Sequence, residues 1–84
     1  MPHVDNVLGY NIFFWSKEKG EPPHVHICKG KPHSGATKIW IDYDEPRLEH
    51  NRSQIPSKDL KRLLQWVALN REMLITMWHD HFDM

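Results

Sequence analysis

Hydrophobic positions alternate with polar ones in the first half of this chain and recur every three to four residues in the second. Tyr10 to Trp15 is aromatic and β-branched, follows Gly9 and runs into the charged turn Ser16-Lys17-Glu18-Lys19-Gly20, so a strand is expected over about 10–15. His24 to Lys29 reads as a second strand, and the stretch from Gly30 to Gly35, interrupted by Pro32, as a loop. Ala36 to Tyr43 reads as a third strand, ended by Glu45-Pro46, and 47–51 as a short edge strand. Beyond Pro56 the pattern changes period. Leu60, Leu63, Leu64, Val67, Leu74 and Trp78 mark one face of a helix expected over about 57–81, with Ser57 as its N-cap and Asp59 in its first turn. The expected architecture is α+β: one domain over 1–84, a three- to four-stranded antiparallel sheet with one long C-terminal helix packed across it.

That helix carries more apolar surface than one small sheet can bury. About 25 residues at 1.5 Å each make a rod of almost 40 Å. Beside the first stripe runs a second, Trp66, Leu69, Met73 and Met77. Methionine adapts to irregular partners, which suits an interface, so the second stripe is expected to meet another chain in a homodimer or a complex. The other reading is a thicker core, with loops folded over the stripe.

The chemistry concentrates in Glu21-Pro22-Pro23-His24-Val25-His26-Ile27. Two histidines one residue apart in a strand point to the same face. Alternation puts Cys28 there too, and matches it with Lys38, Trp40 and Asp42 of the next strand, whereas Val25 and Ile27 face the other way with Thr37, Ile39, Ile41 and Tyr43. Three readings follow. His24 and His26 could ligate a divalent metal such as zinc, with a third ligand from Asp42, Cys28, His79 or His81. They could divide general base and general acid roles on a phosphodiester, with Lys38 or Arg71 balancing developing charge. Or they could satisfy main-chain groups while Pro22-Pro23 fix the chain direction.

The C-terminal run Trp78-His79-Asp80-His81-Phe82 offers two more imidazoles. Residues two apart on a helix point nearly opposite ways, so His79 and His81 cannot share one ion unless the helix has ended. Imidazolium near a helix C-terminus is also favoured by the dipole alone. If the helix packs on the Val25/Ile27 face, His81 lies across the sheet from His24 and His26, about 10 Å away. With the opposite register a mixed His24/His26/His81 site becomes feasible.

Composition narrows the classes. The chain has 84 residues, eleven basic and eleven acidic side chains, and seven histidines. Zero formal net charge lacks the field expected of a protein that grips nucleic acid by its phosphates, although Lys17, Lys19, Lys29, Lys31 and Lys38 cluster in the first half. Cys28 is the one cysteine, so a reducing compartment is the default. No apolar stretch approaches the roughly 20 residues of a membrane span, and the N-terminus shows no signal region, so a soluble cytoplasmic protein is expected.

With those residues in view, the chain resembles the bacterial domain-of-unknown-function 4160 family. The resemblance rests on Gly9-Tyr10 leading into Phe13-Phe14, on Glu21-Pro22-Pro23-His24-Val25-His26, on Lys38-Ile39-Trp40, on Ser57-Lys58-Asp59-Leu60 and on Trp78-His79 with Phe82. The loop around Lys31-Pro32-His33 is longer than the family's usual one. The resemblance implies a small α+β protein, often encoded beside another small protein and sometimes grouped with toxin–antitoxin components. It directs attention to His24, His26, Trp78 and His79. The function expected is therefore a toxin–antitoxin-type module acting through a protein partner, a homodimer mate or a neighbour-encoded small protein. A small ribonuclease or metal-dependent hydrolase using the same histidines is the alternative, and a non-enzymatic regulatory adaptor the third.

Overall fold

A computed structural model describes residues 3–15 and 20–82, and the charged turn expected at 16–20 lies, apart from Gly20, outside the described residues. Among the described residues five strands form one antiparallel sheet in sequence order: β1 (His3–Val7), β2 (Tyr10–Phe13), β3 (His24–Cys28), β4 (Thr37–Trp40) and β5 (Arg47–His50). Two helices follow, α1 (Ser57–Leu69) and α2 (Arg71–Phe82). The α+β class holds; the details differ from the expectation.

The first is the extra strand. β1 reads poorly as a strand because Asp5 and Asn6 disfavour the extended state. It forms because Leu8 and Gly9 both take positive φ, 55° and 83°, and so close a two-residue turn that sets Val7 opposite Tyr10. Turns of that sense match the twist of a hairpin and usually announce themselves as Asn-Gly or Asp-Gly. Here a leucine stands in the left-handed region.

The second is the length of the strands. β4 ends at Trp40 rather than continuing to Tyr43, because Asp42 turns to accept a hydrogen bond from Arg47 Nη2 at 2.7 Å while Tyr43 stands in solvent with Arg47 4.8 Å above its ring. Ile41 still donates its amide to the Pro23 carbonyl at 3.0 Å, which ties the strand end to the start of β3.

The third is the helix, which bends. Asn70 has φ −109° and ψ 16°, off the helical values. The main-chain bonds on either side persist, Asn70 N–H to Trp66 O at 3.1 Å and Leu74 N–H to Asn70 O at 2.9 Å. The Asn70 side-chain amide also donates to Trp66 O, at 2.8 Å, so one carbonyl serves two donors. Such side-chain competition with the ladder is a known cause of bending. Arg71 Nε then donates to Ile41 O at 3.0 Å and pins the bend to the β4–β5 connection. A straight rod would overrun a molecule 33 Å in its longest extent. At the other end Pro56, not Ser57, occupies the N-cap, and no side chain caps the helix. The Pro56 carbonyl accepts from Leu60 N–H at 2.8 Å.

The helices cover the Val25/Ile27 face. Ile12, Val25, Ile27 and Ile39 meet Leu63, Val67, Leu74, Trp78 and Phe82 in the main core. The second helical stripe divides: Trp66 and Met77 lean against that core, whereas Leu69 is 86% exposed and Met73 43%. No helix among the described residues is long and apolar enough to cross a membrane.

Candidate functional site

β3 is buried along its whole length, on both faces of the sheet. Its helix-distal face carries His24, His26 and Cys28, and the register sets His24 opposite Trp40 and His26 opposite both Lys38 and Phe13. The alternation expected from the sequence therefore holds for Lys38 and Trp40. The two imidazoles stand 5.1 Å apart, centroid to centroid, at 80° to one another. His26 stacks on Phe13 at 5.7 Å, and Phe13 meets Trp15 edge-on at 6.3 Å. His24 meets Trp40 edge-on at 5.4 Å.

The rings share a space, but it is not an open one. His24 and His26 are each 1% exposed. His24 Nδ1–H donates to the Pro22 carbonyl at 2.8 Å; since a carbonyl only accepts, Nδ1 carries a proton. The proline pair thus orients the ring as well as the chain. Nε2 of the same ring lies 3.9 Å from Glu21 Oε2. Glu21 also forms an ion pair with Lys38, whose ammonium sits 4.5 Å from the Trp40 ring centroid. Lys38, a candidate for balancing charge on a substrate, is itself nearly buried and satisfied by that carboxylate. Arg71, the other candidate, is committed to Ile41 O.

The C-terminal residues separate. Trp78 brings its indole to 6.5 Å from the His24 ring and lies 5.6 Å from His79. His26, His24, Trp78 and His79 therefore form one connected series of rings, which the sequence pattern did not place together. Trp78 Nε1 and His79 Nδ1 are both buried without a hydrogen-bond partner among the described residues. His81 goes elsewhere, stacking on Phe14 at 6.1 Å, and Asp42 is engaged by Arg47. The metal set proposed from sequence, His24, His26, His79, His81 and Asp42, is accordingly not assembled: among the described residues no three His, Cys, Asp or Glu side chains come together to hold an ion. Cys28 supplies no ligand either. It is buried beside Phe13 and Ala36, its Sγ–H points to Lys31 O at 3.5 Å, and burial pushes the thiol above its ordinary range. In a buried apolar setting the thiolate is disfavoured, so the residue is a poor nucleophile.

A different surface is open. A groove of about 490 Å³ runs along α1, lined by Glu45, Pro46, Leu60, Lys61, Leu64 and Ala68. At Ala68 it meets a second hollow of about 370 Å³ around the helix bend, lined by Asp44, Leu69, Arg71, Glu72 and Met73. No sequence signal distinguished Leu60 and Leu64 from core positions; both pack against the core and are only partly covered.

Residues 9–79 match the family described as a domain of unknown function (DUF4160). The chain belongs to that family. The matched span holds β2 through most of α2, with His24, His26, Trp78 and His79, and leaves β1, His81 and Phe82 outside it. No curated protein and no solved structure matches the chain.

Proposed function

We propose that this chain is a protein-binding module of the toxin–antitoxin type, working through contact with another polypeptide rather than through catalysis at His24 and His26. The observation that carries the reading is the helical face around the Asn70 bend, where a leucine at 86% exposure and Met73 line one hollow, next to a groove lined by Leu60 and Leu64. Large apolar side chains held in water next to a groove mark a contact surface. The histidine pair supports the same reading from the opposite side. Its rings are enclosed by Phe13, Trp40 and Trp78, and its neighbouring charges neutralise each other, which suits a scaffold more than a substrate site.

Co-expression with the product of the adjacent gene tests this. The complex should survive purification and be lost in Leu69→Asp, which alters an exposed position and leaves the fold intact. Growth should not depend on the imidazoles. Arrest on expression that His26→Gln relieves, in a variant shown to be folded, would instead establish the ribonuclease or hydrolase alternative.

A further inference from the structure

The zero net charge of the chain is not spread evenly over the fold. Six of the eleven basic side chains, and one of the eleven acidic ones, lie in three segments: the β3–β4 loop at 29–36, the β5–α1 connection at 51–56 and the first turns of α1 at 57–62. The fold brings these segments to one end of the molecule. Lys29 from the loop, Ser53, Gln54 and Pro56 from the connection and Asp59 from the helix line one hollow of about 240 Å³ beside Tyr10. The Lys29 ammonium stands 5.1 Å from the Tyr10 ring centroid, and Ser53 N–H donates to Thr37 Oγ1 at 3.3 Å, which fixes the connection beside the start of β4. Lys29, Lys31, Arg52, Lys58 and Arg62 are all exposed. Lys61, the sixth cation, lines the α1 groove with Glu45 instead.

None of these five cations forms an ion pair among the described residues, whereas Lys38 is paired with Glu21, Arg47 with Asp42, and Arg71 is held by Ile41 O. Lys58 and Arg62 stand four positions apart on α1, where like charges repel and cost stability. The one carboxylate of the three segments, Asp59, is engaged by the Tyr10 hydroxyl at 2.8 Å. Ser34, Gln54 and Ser57 add exposed hydroxyl and amide donors among the cations. Arginine, lysine, serine and glutamine side chains are the groups that hold phosphate oxygens of nucleic acids. We propose that this end of the molecule binds the phosphodiester backbone of a nucleic acid without reading its base sequence. Tyr10, the aromatic ring of the hollow, is buried, so it offers no face on which a base could stack. An anionic membrane fits less well, because such a surface takes apolar anchors beside the basic ones. Apart from Leu8, the exposed large apolar side chains, Tyr43, Leu48, Leu69 and Met73, lie outside these segments. The site is at the other end of α1 from the Asn70 bend and does not rest on the protein-binding reading.

Titration of the full chain against three probes tests the assignment: a labelled single-stranded RNA, a labelled DNA duplex, and vesicles of phosphatidylcholine with phosphatidylserine. At about 50 mM salt the protein should bind at least one of the nucleic acids, and the tighter of the two names the source of the phosphates. Raising the salt to about 200 mM should weaken binding about 100-fold, as expected for about four phosphate contacts. Lys29→Gln and the double variant Lys58→Gln/Arg62→Gln should each weaken it by about three- to tenfold per cation removed, and lower the slope against salt by about one per cation. The double variant should melt no lower than the wild type, since it relieves a repulsion, and this separates a lost contact from a lost fold. Arg47→Gln, which removes a cation already paired elsewhere on the sheet, should leave the affinity unchanged. No binding of either nucleic acid at about 50 mM salt overturns the assignment. So does binding that Lys29→Gln and the double variant leave intact, and so does binding to the vesicles alone.

Discussion

His24, the first residue of β3, and Trp78, in the last turns of α2, approach to 6.5 Å ring to ring. The contact joins the strand that carries the imidazole pair to the helix that closes the core. Both residues are at 1% exposure, so each fills volume that nothing else fills. Truncating Trp78 to alanine should cost about 3–5 kcal/mol and truncating His24 about 2–4 kcal/mol. The double variant should lose less than the two costs added, by about 0.5–1.5 kcal/mol, the coupling of an aromatic pair. Urea unfolding of the four proteins measures this. Strict additivity would show that the rings do not support each other and that the site is not one unit.

How far this could be read from the chain depends on the range of the interaction. Alternation is local, so it put His24 and His26 on one face and favoured Val25 and Ile27 as the face under the helices, while the pairing of β3 with β4 had to come from the structure before Lys38 and Trp40 joined them. The hairpin at Leu8-Gly9 was hidden because the turn takes a residue that seldom accepts positive φ. The bend at Asn70 was hidden because asparagine inside a helical pattern has two choices, to face solvent or to compete for the preceding carbonyl, and only the packed structure picks one. Bringing Trp78 to His24 required knowing the bend first. Asp42 failed as a site residue for a similar reason: Arg47, five positions on, claims its carboxylate within the turn.

Asn51 ties the sheet to the start of α1. Its Oδ1 accepts from Thr37 Oγ1 at 2.7 Å and from Ile55 N–H at 3.0 Å, and its Nδ2 donates to Ile55 O at 2.9 Å. Alanine there leaves three partly buried groups without those bonds, at a cost of about 2–4 kcal/mol. Asn51→Asp keeps both acceptor contacts and loses the donor, so it should fall between wild type and alanine. Thermal unfolding ranks the three, and an alanine variant as stable as wild type would show that the loop is held by other contacts.

Cys28 should be silent towards thiol reagents in the folded protein. Its thiol is buried, directed at the carbonyls of Gly30 and Lys31, and raised in pKa first by burial, with a hydrogen bond from the His33 backbone opposing in part. Alkylation at pH 8 should proceed only in denaturant, with native labelling slower by about the equilibrium constant for opening. Rapid labelling of the native protein would show that this side of the sheet opens readily, and would return the histidine face to the list of reachable surfaces.

Tyr10 predicts the alkaline limit of the fold. Its ring is buried and its hydroxyl donates to Asp59 Oδ2 at 2.8 Å, joining β2 to the first turn of α1. Burial, the hydrogen bond and the nearby carboxylate charge, in that order, raise its pKa above the ordinary 10.0. A group whose pKa is higher in the folded state contributes stability that is complete below the unfolded value and is lost as pH climbs through the folded one. Stability should therefore be flat with respect to this residue at neutral pH and fall from about pH 10 upward. Tyr10→Phe should lose about 1–3 kcal/mol at pH 7, the worth of a hydrogen bond to a charged acceptor, and should show a shallower alkaline decline. Urea midpoints across pH 7 to about 11 compare the two. An equally steep decline in the phenylalanine variant would assign the alkaline transition to other groups, and would mean that the Tyr10–Asp59 contact does not hold β2 to the helix.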